Sequence, residues 1–164
     1  MGAAKLNDQN ALLSPEVINA FIDGVKKTIE TFTSYNVSCG KPSIQKKIEG
    51  KADVSAILGM TSGQVKGSLI LSFPKKTLFC ILDKMLSATH TELNDEASDA
   101  VGELTNVVYG TAKNILNSKG WNFEMSIPTV IQGDFVVKQK TNITYLNIPF
   151  NVNGHEFNVD LSID

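Results

Sequence analysis

The feature that most narrows the folds open to this chain is a plan that occurs twice: a long amphipathic segment, extended stretches containing proline, and a terminal hairpin. The first copy turns at Ser62-Gly63 and the second at Asn153-Gly154. The first helix has its start signal at Ser14-Pro15-Glu16, where a capping hydroxyl, a proline at the first helical position and an early acid coincide. Val17, Ile18, Phe21, Ile22, Val25, Ile29 and Phe32 then recur at the helical period, which predicts a core-facing stripe on a helix ending near Tyr35. Ser43 to Glu49, Ala52 to Met60 and Gln64 to Phe73 read as strands, the last two as a hairpin. Pro74 closes it, and the spacing of Leu78, Phe79, Ile81, Leu82, Met85 and Leu86 predicts a short amphipathic helix.

The second copy opens in the acidic turn Asn94-Asp95-Glu96, whose charges favour a helix N-terminus, and its helix runs to about Ser118 with Ala97, Val101, Leu104, Val108 and Ile115 inward. Phe123 to Ile131, Phe135 to Lys140, Ile143 to Phe150 and Glu156 to Ile163 follow as strands. The last alternates, with Phe157, Val159, Leu161 and Ile163 on one face. Two such halves predict an α+β, pseudo-duplicated fold: one antiparallel sheet of about six strands with both long helices on one face.

At 164 residues and 42% hydrophobic content, the chain suits one closed core, which gives a lead-in over residues 1–13 and a single domain over 14–164. The net charge of -2, with Lys and Arg scattered, leaves no basic face for nucleic acid. Its apolar runs are far shorter than the roughly 20 residues of a bilayer span, and no signal peptide is evident. Cys39 and Cys80 are too few for a disulfide scaffold, which points to the cytoplasm. His90 and His155 stand far apart and in no metal-ligand spacing.

The stretch that could carry chemistry is Gly102-Glu103-Leu104-Thr105-Asn106-Val107-Val108-Tyr109-Gly110-Thr111-Ala112-Lys113. On a helix Glu103 and Asn106 are neighbours, Gly110 follows one turn beyond, and this stripe is distinct from the core stripe. Glu and Asn at this spacing are also common on solvated faces, so the pair alone does not decide. The glycine adds weight, because glycine inside a helix costs about 1 kcal/mol relative to alanine and usually has a packing or access reason. Gly102, Tyr109 and Gly110 are the candidate partner contacts around the pair. Trp121 and Lys113 read as core packing and exposed charge respectively.

This run resembles the helix motif of the CheX and CheC phosphatases: Glu, two residues, Asn, then Gly four later. Pro128-Thr129-Val130-Ile131-Gln132-Gly133 is similar to the P-x-x-x-x-G segment that follows that helix in the family. Glu16 to Ile22 resembles the family's first-helix start, with Ala20 where proline is usual after the asparagine. The resemblance spans about residues 15–164 and implies a CheC-like fold. It also implies a target, a phosphorylated CheY-like receiver domain. Asn106 would enter the receiver's active site to orient the attacking water, and Glu103 would anchor on the receiver's lysine. An aspartyl phosphate already has its metal and charge stabilisation in the receiver, so the resemblance implies no cofactor or metal in this chain and Mg²⁺ only in the partner.

CheC-type members carry two such motifs and CheX-type members one. Glu16-Val17-Ile18-Asn19 is a literal second match. Aligning the halves on Gly24 and Gly110 sets Val17 and Ala20 opposite Glu103 and Asn106, one residue out of register, and a one-residue shift turns a side chain by about 100°. Glu16 is also what helix capping supplies. The pair is therefore read as structural and the chain as CheX-like, with a second active site as the alternative. Some family members dimerise, and the C-terminal strand Phe157 to Ile163 offers an edge for a homodimer. A non-catalytic receiver-binding module and a self-association module using the same helix face are the rival functions.

Overall fold

The elements run α1 (Pro15–Thr33), β1 (Val37–Cys39), β2 (Ser43–Gln45), β3 (Ile48–Gly50), β4 (Val54–Ser62), β5 (Val65–Phe73), α2 (Lys75–Leu86), α3 (Asp95–Asn117), β6 (Phe123–Met125), β7 (Thr129–Gln132), β8 (Phe135–Val137), β9 (Thr144–Val152) and β10 (His155–Ile163). The computed structural model describes residues 14–46, 48–50, 52–63, 65–137 and 144–163. The lead-in over 1–13 and, within the expected strands, Lys47, Gln64, Lys138 to Lys140 and Ile143 lie outside the described residues, as does the side chain of Ile163.

Local chemistry sets the helix ends. Ser14 Oγ accepts from the Val17 N–H at 3.4 Å with Pro15 at the first helical position, and Asn94 Oδ1 accepts from the Ala97 N–H at 2.9 Å at the start of α3. Asp53 Oδ2 accepts from the Lys75 N–H at 2.6 Å, capping α2 from a residue that precedes β4. Ser34, at φ 61°, stops α1 short of Tyr35 and donates its N–H to Glu30 O. Phe32, expected in the core stripe, falls in this last turn and is exposed.

Hairpins β4–β5 and β9–β10 meet back to back through the antiparallel pair β5–β10, so the two copies share the middle of one sheet. The second turn uses Asn153 at φ 49° and Gly154 at φ 81°, two left-handed residues in succession as a two-residue hairpin requires. Each half then edges the other: β1 and β2 pair with β9, while β6 and β7 pair with β4. Among the described residues the main sheet thus has eight strands, in the order β1-β9-β10-β5-β4-β6 with β2 and β7 beside β9 and β4, against the about six expected. The surplus arises at Pro42 and Pro128, which supply no N–H and split each edge into two short strands. Ser43 to Glu49 also divides, because β3 leaves the main sheet to pair with β8.

Val54, Leu58, Leu69, Leu71, Phe73, Ile148, Phe150, Phe157 and Val159 form one buried face under α1, α2 and α3, with the Phe157 ring stacked 5.1 Å from Phe73 and 5.2 Å from Phe150. The other face is more polar, with Ser55 bonded to Ser72 at 3.0 Å and Asn147 donating to Asp160 at 2.9 Å; Ile57 and Phe135 pack there on Ile70 and Tyr145. β10 lies between β9 and β5, so both its edges are already bonded. An edge-to-edge dimer through the C-terminal strand is therefore excluded.

α1 and α3 cross where Gly24 meets Val108 and Ala112; a Cβ at 24 would lie 2.9 Å from Val108 O and 3.3 Å from the Ala112 Cβ. The buried stripe Val17, Ala20, Phe21, Gly24, Val25, Thr28 on α1 repeats as Val101, Leu104, Thr105, Val108, Tyr109, Ala112 on α3. In this register of the buried stripes Gly24 stands opposite Val108, two residues from Gly110. Among the described residues no helix is long and apolar enough to cross a membrane.

Candidate active site

α3 keeps two faces apart. Its buried residues hold it to α1 and the sheet, while Glu103 is exposed and Asn106 and Gly110 are half-buried on the turns between. A cavity of about 390 Å³ opens beside this face. One wall is α3, with Ser98, Asp99, Gly102, Glu103 and Asn106; the other is Ile127, Pro128 and Val130 from the segment joining β6 to β7.

The P-x-x-x-x-G segment builds that second wall. Ser126 pairs with Gly59 of β4, donating its N–H to Gly59 O at 2.8 Å and accepting the Gly59 N–H on Oγ at 2.9 Å. Pro128 then interrupts the strand and stands in the cavity wall. Gln132 Nε2 donates to Ser98 Oγ at 2.9 Å and to Leu93 O at 3.3 Å, bolting β7 to the start of α3. Gly133, at φ 88°, ends the segment and donates its N–H to Asp53 O at 2.8 Å, a backbone shape that favours glycine.

Asn106 carries the site's unusual feature. Its Oδ1 is buried and has no hydrogen-bond partner, whereas nearly all buried polar atoms in folded proteins are paired. The rest of the Asn106 side chain lines the cavity, within reach of an incoming group. Glu103 and Asp99, one helical turn apart, place two carboxylates on the same wall, a surface that favours a cation. Among the described residues that line it there is no histidine or cysteine. A carboxamide beside two carboxylates suits orientation of a water and capture of a cationic side chain.

The structure places the remaining candidates unequally. Gly102 lines the cavity, and a Cβ there would meet Val130 Cγ2 at an ordinary 3.6 Å. Gly110 has nothing within 4 Å of where its Cβ would be, so its face is open to a partner. Tyr109 is a correction: it is fully buried, its ring 6.1 Å from Phe21 and its hydroxyl donating to Glu124 O at 2.7 Å, so it cannot touch a partner. Burial pushes its phenol well above the ordinary range, and the charge of Glu124 adds to the shift. Trp121 is buried, and its Nε1 donates to Glu16 Oε2 at 3.0 Å.

That bond gives Glu16 a structural task, and in the register of the buried stripes the α1 residues opposite Glu103 and Asn106 are Asn19 and Ile22. Ser98, Asp99, Ile127 and Val130 were not singled out from sequence. Asp99 had a legible signal, four residues before Glu103 on the same face, and Ser98 lies on that same helix; Ile127 and Val130 are brought to the site by tertiary pairing.

The family description Chemotaxis phosphatase CheX matches residues 54–151. CheY-P phosphatase CheX of Thermotoga maritima is 30% identical over 153 residues, covering 92% of this chain and 97% of that protein. Among solved structures, a CheC-like superfamily protein from Shewanella sp. PV-4 superposes with a TM-score of 0.85 at 32% identity, covering 92% of this chain and 99% of its own. Chemotaxis protein CheX from Desulfovibrio desulfuricans gives a TM-score of 0.81 at 29% identity, covering 91% and 99%.

Proposed function

Because this chain belongs to the CheX family of chemotaxis phosphatases, we propose that it dephosphorylates the aspartyl phosphate of a CheY-like receiver domain, with Asn106 orienting the attacking water and Glu103 engaging the receiver's lysine. The observation that carries this reading is the buried, unpartnered Asn106 Oδ1 beside Glu103 in an open cavity. The Thermotoga relative, named a CheY-P phosphatase, supports the choice of substrate.

The reaction needs little from this chain. Water attacks phosphorus, the bond to the aspartyl oxygen breaks, and inorganic phosphate and a free carboxylate result. The receiver supplies Mg²⁺ and the charges that stabilise the moving phosphoryl group, and this chain needs no cofactor of its own. A carboxamide both donates and accepts without a particular protonation state, so one inserted asparagine can align the water. Such alignment is worth about 100-fold in rate, or about 2.7 kcal/mol. Glu103, paired with a lysine in a closed interface, contributes affinity. The setting is the cytoplasm, where a soluble receiver would meet it.

The test is phosphate release from a panel of phosphorylated receivers. Asn106→Ala should lose about 100-fold of the acceleration while keeping receiver binding, and it should not unfold the chain, since it removes an unsatisfied buried atom. Glu103→Ala should weaken association by about 2 kcal/mol. Glu16→Ala should leave the chemistry intact. Full acceleration by Asn106→Ala would sink the catalytic assignment and leave a binding module. Equal loss from Glu16→Ala and Asn19→Ala would mean two working sites.

A further inference from the structure

Resting on the receiver as substrate, we propose that Ile127 is the apolar anchor that seats the receiver domain against this site, setting affinity and partner choice separately from the chemistry at Asn106. Ile127 is 89% exposed, more than any other large apolar side chain among the described residues. Singly scattered surface hydrophobes need no explanation, but this one forms the lip of the cavity that holds Glu103 and Asn106. Val107, 39% exposed, adds apolar surface beside Asn106 on α3. The site therefore presents carboxylates and a carboxamide on the helix wall and an aliphatic lip on the opposite wall.

The lip is held in place before any partner arrives. Ser126 is fixed by two hydrogen bonds to Gly59, and Pro128 restricts Ile127 to extended backbone. An anchor displayed on a fixed loop loses little conformational freedom on docking, so most of its burial appears as affinity. The partner surface it fits is an aliphatic or aromatic patch next to the pocket that carries the phosphoryl group. A receiver with a charge at that point would be rejected, because it would bury that charge against isoleucine.

The experiment uses the full chain and a receiver whose phosphate loss it accelerates, with initial rates measured across receiver concentration. Ile127→Ser should raise KM by about tenfold or more with kcat within about twofold of wild type, as expected for loss of one buried aliphatic anchor. Ile127→Glu should raise KM further, and Ile127→Leu should restore it. Unfolding midpoints should stay at the wild-type value in all three, since the side chain touches little of its own fold. An unchanged KM in both Ile127→Ser and Ile127→Glu would overturn the anchor while leaving the phosphatase intact. If the wild-type chain accelerates phosphate loss from no receiver, the phosphatase reading falls, and the anchor with it.

Discussion

Two glycines in two helices should respond to the same substitution with opposite signs. In each, alanine gains about 0.8–1 kcal/mol of intrinsic helix propensity. At Gly110 nothing lies within 4 Å of the added methyl, so the whole gain is realised. For a chain of 164 residues, that corresponds to a rise of about 2–4 °C in Tm. At Gly24 the methyl would sit 2.9 Å from the Val108 carbonyl oxygen and 3.3 Å from Ala112 atoms, so α1 and α3 must move apart. Overpacking of this kind costs about 1–3 kcal/mol, and because the obstacle is backbone of the facing helix the cost should lie in the upper half of that range, which leaves a net loss of about 1–2 kcal/mol. Thermal unfolding of Gly24→Ala and Gly110→Ala, followed by circular dichroism in one buffer, reads both signs. A stabilised Gly24→Ala would refute the close crossing, and a destabilised Gly110→Ala would refute the open face. Phosphate release adds the functional half: the more stable Gly110→Ala should dock its receiver less well, because the methyl stands on the face offered to the partner.

Two further substitutions test the interior. Tyr109→Phe removes the hydroxyl that donates to Glu124 O and should cost about 1 kcal/mol in urea unfolding while leaving phosphate release unchanged; a selective loss of activity would restore Tyr109 to the site. Asp160, buried on the far face of the sheet, has its carboxyl raised above the ordinary value by burial, an effect that the bond from Asn147 opposes. Its neutral form is the one the fold prefers, so this stability is present below the unfolded pKa of about 3.9 and is lost as pH rises through the raised folded value. Asp160→Asn should therefore stabilise the chain more at pH 7 than at pH 4, and equal effects at both would refute the assignment.

Much of the fold was legible because its signals are local. Ser14-Pro15-Glu16 and Asn94-Asp95-Glu96 start their helices by capping chemistry, and the hairpin turns carry residues suited to positive φ. The edge strands were less legible. β1, β2, β6 and β7 are short, and their pairing with the opposite half's hairpin is a long-range outcome with no periodic trace. The same separation explains the site. Glu103 and Asn106 share a helix and could be found by spacing, whereas Ile127 and Val130 reach them only because β7 lies on β4 and Gln132 ties β7 to α3. Tyr109 stands only about 60° around α3 from Asn106, yet that rotation puts it on the buried stripe, against Phe21 and Glu124 O.

The duplicated frame separates what the halves must share from what they may differ in. Val17, Phe21 and Val25 on α1 and Val101, Thr105 and Tyr109 on α3 occupy matching buried places, and losing a large apolar side chain from such a place costs about 2–5 kcal/mol, a large fraction of a domain's stability. Both halves are held to that pattern by the crossing and the sheet beneath it. Glu103 and Asn106 lie beside that buried stripe, where Asn19 and Ile22 stand on the other helix without breaking the core. Chemistry is thus free to reside on one helix alone. The Glu16-Asn19 match illustrates the difference, since its carboxylate is engaged by Trp121 from the far half and holds the halves together. Two helices alike in the residues they bury can therefore carry the proposed catalytic face on one of them alone, because the fold constrains only the inward side of each.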